Sequence, residues 1–355
     1  MLYLCSVLWE QYHKGVFFMV KKIGAQTIEF SNNVSIAGFG SIVGKKEAQG
    51  PLKDDFDKIE YDMHVGQDTW EDAESKLQTE ALSIALEKAK VSAKDIGFLF
   101  AGDLLNQCVS SSFGLKDYAI PYLGQYGACS TMVQSLIMAA VMVESKASLL
   151  SACVTSSHFC SAERQYRFPL DYGGQRPQSA QWTVTGAGSC ILSGEQDDKK
   201  PKVLRATVGK IVDLGVKDQN NMGAAMAPAA ADTIKMFFED TNTKETDYDM
   251  IYTGDLGKIG SKLLYELLLK EGYDIQSRHK DCGVMIFDDN EFDVHSGGSG
   301  CGCCASVLCG HILKKVEKKE LKNVLVIATG ALLSPVTVQQ SKSIPCIAHL
   351  VNIVM

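Results

Sequence analysis

No part of this sequence reads as a membrane span. Its apolar opening, Met1 to Val20, is broken by Glu10, Gln11, His13 and Lys14, whereas a spanning helix needs about 20 nearly uncharged residues. The same opening lacks the basic start and small-residue cleavage site of a secretory leader. Residues 1–18 read as an extension from an upstream start, with an interfacial amphipathic anchor as the alternative. An excess of basic charge is missing as well. The net charge is −7 with a pI near 5.6, so nothing argues for nucleic acid as a partner. No stretch is of low enough complexity to read as disordered. The twelve cysteines lack the setting of a disulfide framework, which belongs to short secreted chains. They sit singly in apolar runs or cluster at 301–304, and read as free thiols in a reducing cytoplasm.

What is present is a chain of 355 residues, 46% hydrophobic and 22% charged, enough for two ordinary domains or one large duplicated one. An internal repeat favours duplication. Phe98-Leu-Phe-Ala-Gly-Asp-Leu-Leu recurs as Met250-Ile-Tyr-Thr-Gly-Asp-Leu-Gly. A glycine- and cysteine-rich turn entering an apolar helix occurs at Gly127 to Ser145 and again at Gly300 to Val316. A strand follows each, at Ala147 to Ser156 and Leu321 to Thr329, and Val34–Gly44 matches Val203–Gly215 more weakly. Four matches in order point to two halves, 19–198 and 199–355, with Lys199-Lys-Pro-Lys at the seam. The chain stops on an apolar strand-like run, Ile347 to Met355, as if clipped.

Apolar Ala73, Leu77, Ala81, Ile84 and Ala85 predict a helix from Trp70 to Lys90. The runs Phe98–Ala101, Leu149–Val154, Met250–Thr253 and Val324–Ala328 are apolar throughout or nearly so, the pattern of strands in sheets covered on both faces. Met222 to Asp232 reads as a loop feeding a helix at Ala229 to Phe237. Ser156 to Val184, with Phe168-Pro169, Tyr172-Gly-Gly and Arg176-Pro177, reads as a surface excursion where binding groups collect. Two halves with mostly parallel sheets and a buried helix between them give a five-layered αβαβα sandwich.

Tyr126-Gly-Ala-Cys-Ser-Thr-Met resembles the nucleophile turn of thiolases and ketoacyl synthases, and Thr185-Gly-Ala-Gly-Ser-Cys-Ile-Leu resembles their central glycine strand. Five further segments together resemble the stage V sporulation protein AD family, from about Ile23 to about Val351. They are Gly102-Asp-Leu-Leu-Asn-Gln, Thr155-Ser-Ser-His, Ala162-Glu-Arg-Gln, Met222-Gly-Ala-Ala-Met-Ala-Pro-Ala-Ala-Ala-Asp and Gly297-Gly-Ser-Gly-Cys-Gly-Cys. The resemblance implies a thiolase-like fold and a ligand, pyridine-2,6-dicarboxylic acid (dipicolinic acid), which spores store as a calcium chelate. It also implies action with membrane proteins of the SpoVA group, at the spore inner membrane or in the cytoplasm. A homodimer is expected by analogy with thiolase-fold proteins, and no cofactor is implied.

Cys129, at a strand-to-helix turn, faces helix N–H groups that lower a thiol pKa or hold an anion. Small buried residue is the plainer alternative. The condensing enzymes add a histidine after the strand matching Met250–Thr253, where this chain has Thr253-Gly254-Asp255. They also carry an asparagine or histidine on the loop that here reads Gly297-Gly-Ser-Gly-Cys-Gly-Cys. A carboxylate there would repel an oxyanion, so turnover by that mechanism is not expected. His279 and His295 are the bases an enzyme reading would require. For a binder, the expected ligand set is Cys129, Ser156, Ser157, His158, Asp103, Asp255, Cys301, Cys303 and Arg164, whose fork suits a carboxylate. Asp103 and Asp255 stand at equivalent strand ends, Asp103 more as a loop cap, and Cys301 and Cys303 lie on the glycine loop. Cys301 and Cys304 are in C-x-x-C spacing, but without a second such pair they read as packing and not as a zinc site. A subunit of a membrane complex with a vestigial pocket is the third reading.

Overall fold

Strands made almost wholly of apolar residues need cover on both faces, and the architecture supplies it. A computed structural model of the protein describes residues 20–30, 34–167, 176–288 and 293–355. Residues 1–18, and the Phe168-Pro169 and Tyr172-Gly-Gly parts of the excursion, lie outside them. Ten strands form the framework: β1 (Ser35–Val43), β2 (Phe98–Gly102), β3 (Tyr122–Gly124), β4 (Leu150–Ser157), β5 (Gly186–Ser193), β6 (Lys202–Thr207), β7 (Met250–Thr253), β8 (His279–Asp281), β9 (Asn323–Ala331) and β10 (Cys346–Val354). The first five run in the order β1-β5-β4-β2-β3 and the second five in the order β6-β10-β9-β7-β8.

Each array repeats the other's pairing. The strand next to the first edge is antiparallel to both its neighbours, and the outer two pairings are parallel. The arrays meet edge to edge where Lys202 pairs with Ser35, flanked by the Ile36 N–H donating to Pro201 O at 2.8 Å and the Val203 N–H to Val34 O at 3.0 Å. The recurring segments occupy matching positions: β2 with β7, β4 with β9, β1 with β6. The final apolar run is β10, interior to its array and buried from Cys346 to Ile353 apart from a half-buried Ile347.

Six helices cover these arrays: α1 (Trp70–Ala89), α2 (Thr131–Glu144), α3 (Phe159–Arg167), α4 (Met222–Thr241), α5 (Gly257–Lys270) and α6 (Cys301–Val307). The composition of each decides its layer. α1 is apolar on one stripe, with Ala73, Leu77, Ala81 and Ala85 buried, and packs on the outer face of β1 and β5. Its start is capped by Thr69 Oγ1, which accepts the Asp72 N–H at 3.1 Å, a contact worth about 1 kcal/mol. α2 is apolar nearly all round and α6 is buried at every residue; such helices belong inside. Accordingly α2 packs against both β4 and β9, between the arrays. α4 and α5 pack together, α4 covering the outer face of β9 and β10. Five layers result, α1 | β | α2, α6 | β | α4, α5.

One predicted boundary is corrected. α4 begins at Met222 and not after Pro228, with the Asn221 side chain accepting the Ala224 N–H at 3.3 Å. Pro228 removes a single ladder donor, and the buried face of Ala225, Met226, Ala229, Ile234 and Phe237 outweighs that loss. A helix also interrupts the expected surface excursion, since Phe159–Arg167 is α3. No helix of the described residues is long and apolar enough to cross a membrane.

Candidate functional site

The turn Ala128–Ser130 delivers Cys129 to the start of α2. Ala128 is held at φ 51°, a left-handed conformation costly for a residue with a Cβ. Three contacts keep it: Gly127 N–H donates to Thr131 Oγ1, Ser130 Oγ to Gly127 O, and Thr131 Oγ1 to Ala128 O, at 3.1, 2.7 and 2.6 Å. β9 approaches so closely that a Cβ on Gly330 would lie 2.4 Å from Gly127 O. Above the turn opens a cleft of about 590 Å³, mouth included. Its walls are mainly apolar, from Leu104, Ala128, Ala162, Met222, Ala331 and Leu333, and its polar groups come from Cys129, Glu163, Tyr166, Thr183, Gln219 and Ser299. No Lys, Arg or His is among these lining residues.

Of the effects open to a helix start at Cys129, a lowered thiol pKa is not the one found. Burial pushes the thiol well above its ordinary range, and the Asp255 carboxylate beside it pushes further by its charge and by accepting the S–H. The nearby Gly300 N–H and Ser299 hydroxyl favour the thiolate but do not offset this. Asp255 is fully buried. It accepts from Thr329 Oγ1 at 2.8 Å, Gly300 N–H at 3.0 Å and Ser299 Oγ at 3.1 Å. Burial raises its own carboxyl, and these donors, with the thiol, draw it back. Burial and the neighbouring carboxylate thus both favour the protonated form of the sulfur.

Most of the other expected ligands point elsewhere. Ser156 Oγ faces α1, donating to Glu74 Oε1 and accepting from Gln78 Nε2, both at 2.8 Å. Ser157 Oγ donates to Val184 O at 2.7 Å and accepts the Gly302 N–H at 3.1 Å, capping α6. His158 Nδ1 accepts the Cys160 N–H at 3.1 Å, which leaves Nε2–H to bond Met63 O at 2.9 Å. Both ring nitrogens are thus spent on backbone, and burial lowers the imidazole's pKa. Arg164 is on the exposed side of α3, its guanidinium paired with Glu71. Asp103 caps the Val109–Leu115 helix, accepting from Leu105 N–H, Ser111 N–H and Ser111 Oγ at 2.8, 2.8 and 2.6 Å. Cys301 Sγ donates to Ser156 O at 2.9 Å and Cys303 Sγ to Gly254 O at 3.4 Å. Of the expected set only Cys129 lines the cleft, with Asp255 directly behind it. Neither His279 nor His295 reaches it; His295 Nε2 pairs with Asp293 at 3.0 Å.

Tyr166, Thr183 and Gln219 were not expected in the cleft, nor were the following groups. Glu163 reaches the cleft because helical spacing puts Ala162, Glu163 and Tyr166 on one face of α3 and Arg164 on the other; a helix reading of the excursion would have found it. Ser299 sits within the quoted glycine loop, but its hydroxyl was passed over in the search for an amide. Glu74 and Gln78 lie one turn apart on the apolar stripe of α1. Gln78 Nε2 links Ser111 Oγ to Ser156 Oγ, each of which donates to a buried carboxylate, Asp103 and Glu74. Ser161 Oγ donates to the other Glu74 oxygen at 2.7 Å. Burial, then the charge of Asp103, pushes Glu74 up to about 8.

Two such arrays, two central helices and a cysteine presented at the start of one of them define a thiolase-like protein. A variant of OleA from Xanthomonas campestris matches with a TM-score of 0.62 at 16% identity, over 91% of this chain and 97% of that one. The 3-oxoacyl-[acyl-carrier-protein] synthase III of Aquifex aeolicus VF5 matches with a TM-score of 0.56 at 10% identity, over 91% and 100%. Likeness at these identities is one of fold. The family is narrower: the chain belongs to the stage V sporulation protein AD family, whose model matches residues 24–354. Stage V sporulation protein AD of Bacillus subtilis (strain 168) is 44% identical over 330 residues, 93% of this chain and 97% of that protein.

Proposed function

We propose that the Cys129 cleft binds dipicolinic acid reversibly, as its calcium chelate, and that the chain acts with membrane proteins of the SpoVA group in moving it into and out of spores. Membership of a sporulation family supports the setting. The observation that carries the reading is the buried thiol beside the Asp255 carboxylate, which Thr329, Ser299 and Gly300 hold, in a cleft with no cationic side chain among its described lining residues. Acyl transfer needs a thiolate and a partner that stabilises an oxyanion; a protonated sulfur against a carboxylate supplies neither. The protein binds and does not turn over.

The same electrostatics choose the form of the guest. A bare dianion would lose its water beside Glu163 and Asp255 without a compensating charge, which is costly. Calcium cancels both ligand charges, and as a hard cation it accepts carboxylate, hydroxyl and amide oxygens, the groups offered by Glu163, Ser299, Thr183 and Gln219. Leu104, Ala162, Met222 and Leu333 suit the faces of the pyridine ring. The protein works as a homodimer on the membrane surface; the exposed Tyr122 and Leu123 of edge strand β3 and the nearby Tyr126 suit an interface between copies.

Titration calorimetry tests this with the diacid plus calcium, and with the diacid plus a stronger chelator. The chelate is expected to bind at least about tenfold more tightly, a difference of 1.4 kcal/mol. A Cys129→Ala variant should hold it within a few-fold of wild type. Absence of heat in every arm would end the proposal.

A further inference from the structure

Asp255 reaches Cys129 from the turn after β7, and that turn is held from behind. The next two residues, Leu256 and Gly257, donate their N–H groups to Asp281 Oδ2 at 2.8 Å and Oδ1 at 3.0 Å. Asp281, at the end of β8, also accepts the Val284 N–H at 3.1 Å and the Thr253 hydroxyl at 2.6 Å. Four donors on one buried carboxylate make it an ionised clamp.

Proton counting then orders the rest of the cluster. Thr253 has given its single hydroxyl proton to Asp281, so towards His279 Nε2, 2.8 Å away, it can only accept. His279 therefore carries its proton on Nε2, and Nδ1 is left to accept from the Tyr265 phenol at 2.8 Å. Burial keeps this imidazole neutral, pushing it down to about 3, in keeping with one ring proton. The donors run in one direction, from Tyr265 to His279 to Thr253 to Asp281. A histidine so committed has no free nitrogen to act as a base, yet it settles which way the Thr253 hydroxyl points.

We infer that Thr253, His279 and Tyr265 are positioning residues for the cleft: they orient Asp281, Asp281 pins the turn, and the turn holds the Asp255 carboxylate against the Cys129 thiol. None of the three lines the cleft. The inference shares with the proposed function only the choice of that cleft as the working site. A second tie, Gln181 Nε2 to Asp255 O at 2.7 Å, holds the turn from the other side. Loss of the first tie should therefore let the carboxylate drift rather than unfold the segment.

Alkylation of Cys129 by iodoacetamide reads the position of Asp255, because only the thiolate reacts and a neighbouring negative charge suppresses it. The rate is followed by peptide mass spectrometry across pH 7 to 10, on the whole folded chain, with Asp255→Asn as the reference for a removed charge. Thr253→Val should raise the rate at pH 8 by about tenfold, one pH unit of the profile, towards that reference. Thr253→Ser, which keeps the hydroxyl, should stay within about twofold of wild type. A wild-type rate in folded Thr253→Val overturns the inference. If Thr253→Val does not fold, Tyr265→Phe decides, with a rise of about threefold expected and an unchanged rate counting against. Since no diacid is used, a wild type that fails to bind the chelate would remove the proposed function and leave this result standing.

Discussion

Replacing Glu74 by Gln should flatten the dependence of stability on pH. Glu74 is buried between α1 and β4 with both oxygens bonded to serine hydroxyls, and its carboxyl is raised from an ordinary 4.5 to about 8. For an acid raised in the folded state, the native chain holds the proton where the unfolded chain has lost it. Stability from this group is then full below about pH 4.5 and declines as pH rises to about 8. The decline is 1.36 kcal/mol per pH unit, so the whole window amounts to roughly 5 kcal/mol at most. Glu47, raised to about 7, and Asp281, raised to about 6, slope the same way at lower pH. Glu47 still titrates between pH 7 and 8, but it does so in both proteins, so the difference between them over that interval isolates Glu74. There wild type should lose about 1 kcal/mol that the variant does not. Below about pH 8 the protonated acid accepts at one oxygen and donates at the other, as the amide does, so the variant should carry little pH-independent cost. Guanidinium unfolding at pH 6, 7 and 8 measures both. Parallel curves for the two proteins would refute the reasoning.

Two further substitutions probe the remaining assignments. Arg164→Ala should leave chelate affinity unchanged in calorimetry and stability within about 0.5 kcal/mol, since its pair with Glu71 is at the surface. Gly302→Ala should lower the melting temperature, costing about 1–3 kcal/mol as overpacking. The new Cβ would stand 2.4 Å from Gly186 O and 2.5 Å from Ser157 Oγ.

The fold was far more legible in the sequence than the site, for a physical reason. Strands such as Met250–Thr253 and the helix from Trp70 carry their layer in their own composition, because burial on two faces or on one stripe selects residues at each position. The recurrence of Gly-Asp-Leu marked two equivalent strand ends without reference to tertiary contacts. Side-chain direction carries no such local mark. Ser156 and Ser157 are adjacent, yet in a strand they point to opposite faces, one to Glu74 and the other to the start of α6. Arg164 was expected on the chemistry of its fork alone, and the helical phase of α3 turns it to the surface and brings Glu163 to the cleft. Cys129 was placed correctly because the turn that presents it is itself a local motif. Its protonation was not legible, because Asp255 arrives from 126 positions downstream. Glu74 and Gln78 could have been found: two polar residues one turn apart on an apolar stripe signal a buried network.

The contacts behind Cys129 also limit how the molecule can move. Asp255 takes its hydrogens from the Cys129 thiol and from Ser299, Gly300 and Thr329, while Ser156 and Ser157 receive Cys301 and Gly302. The floor of the cavity is thereby stitched across both strand arrays. Prising the arrays apart would break all of these bonds together, which makes the floor a fixed base and leaves movement to the rim, where Tyr166 and Gln219 stand.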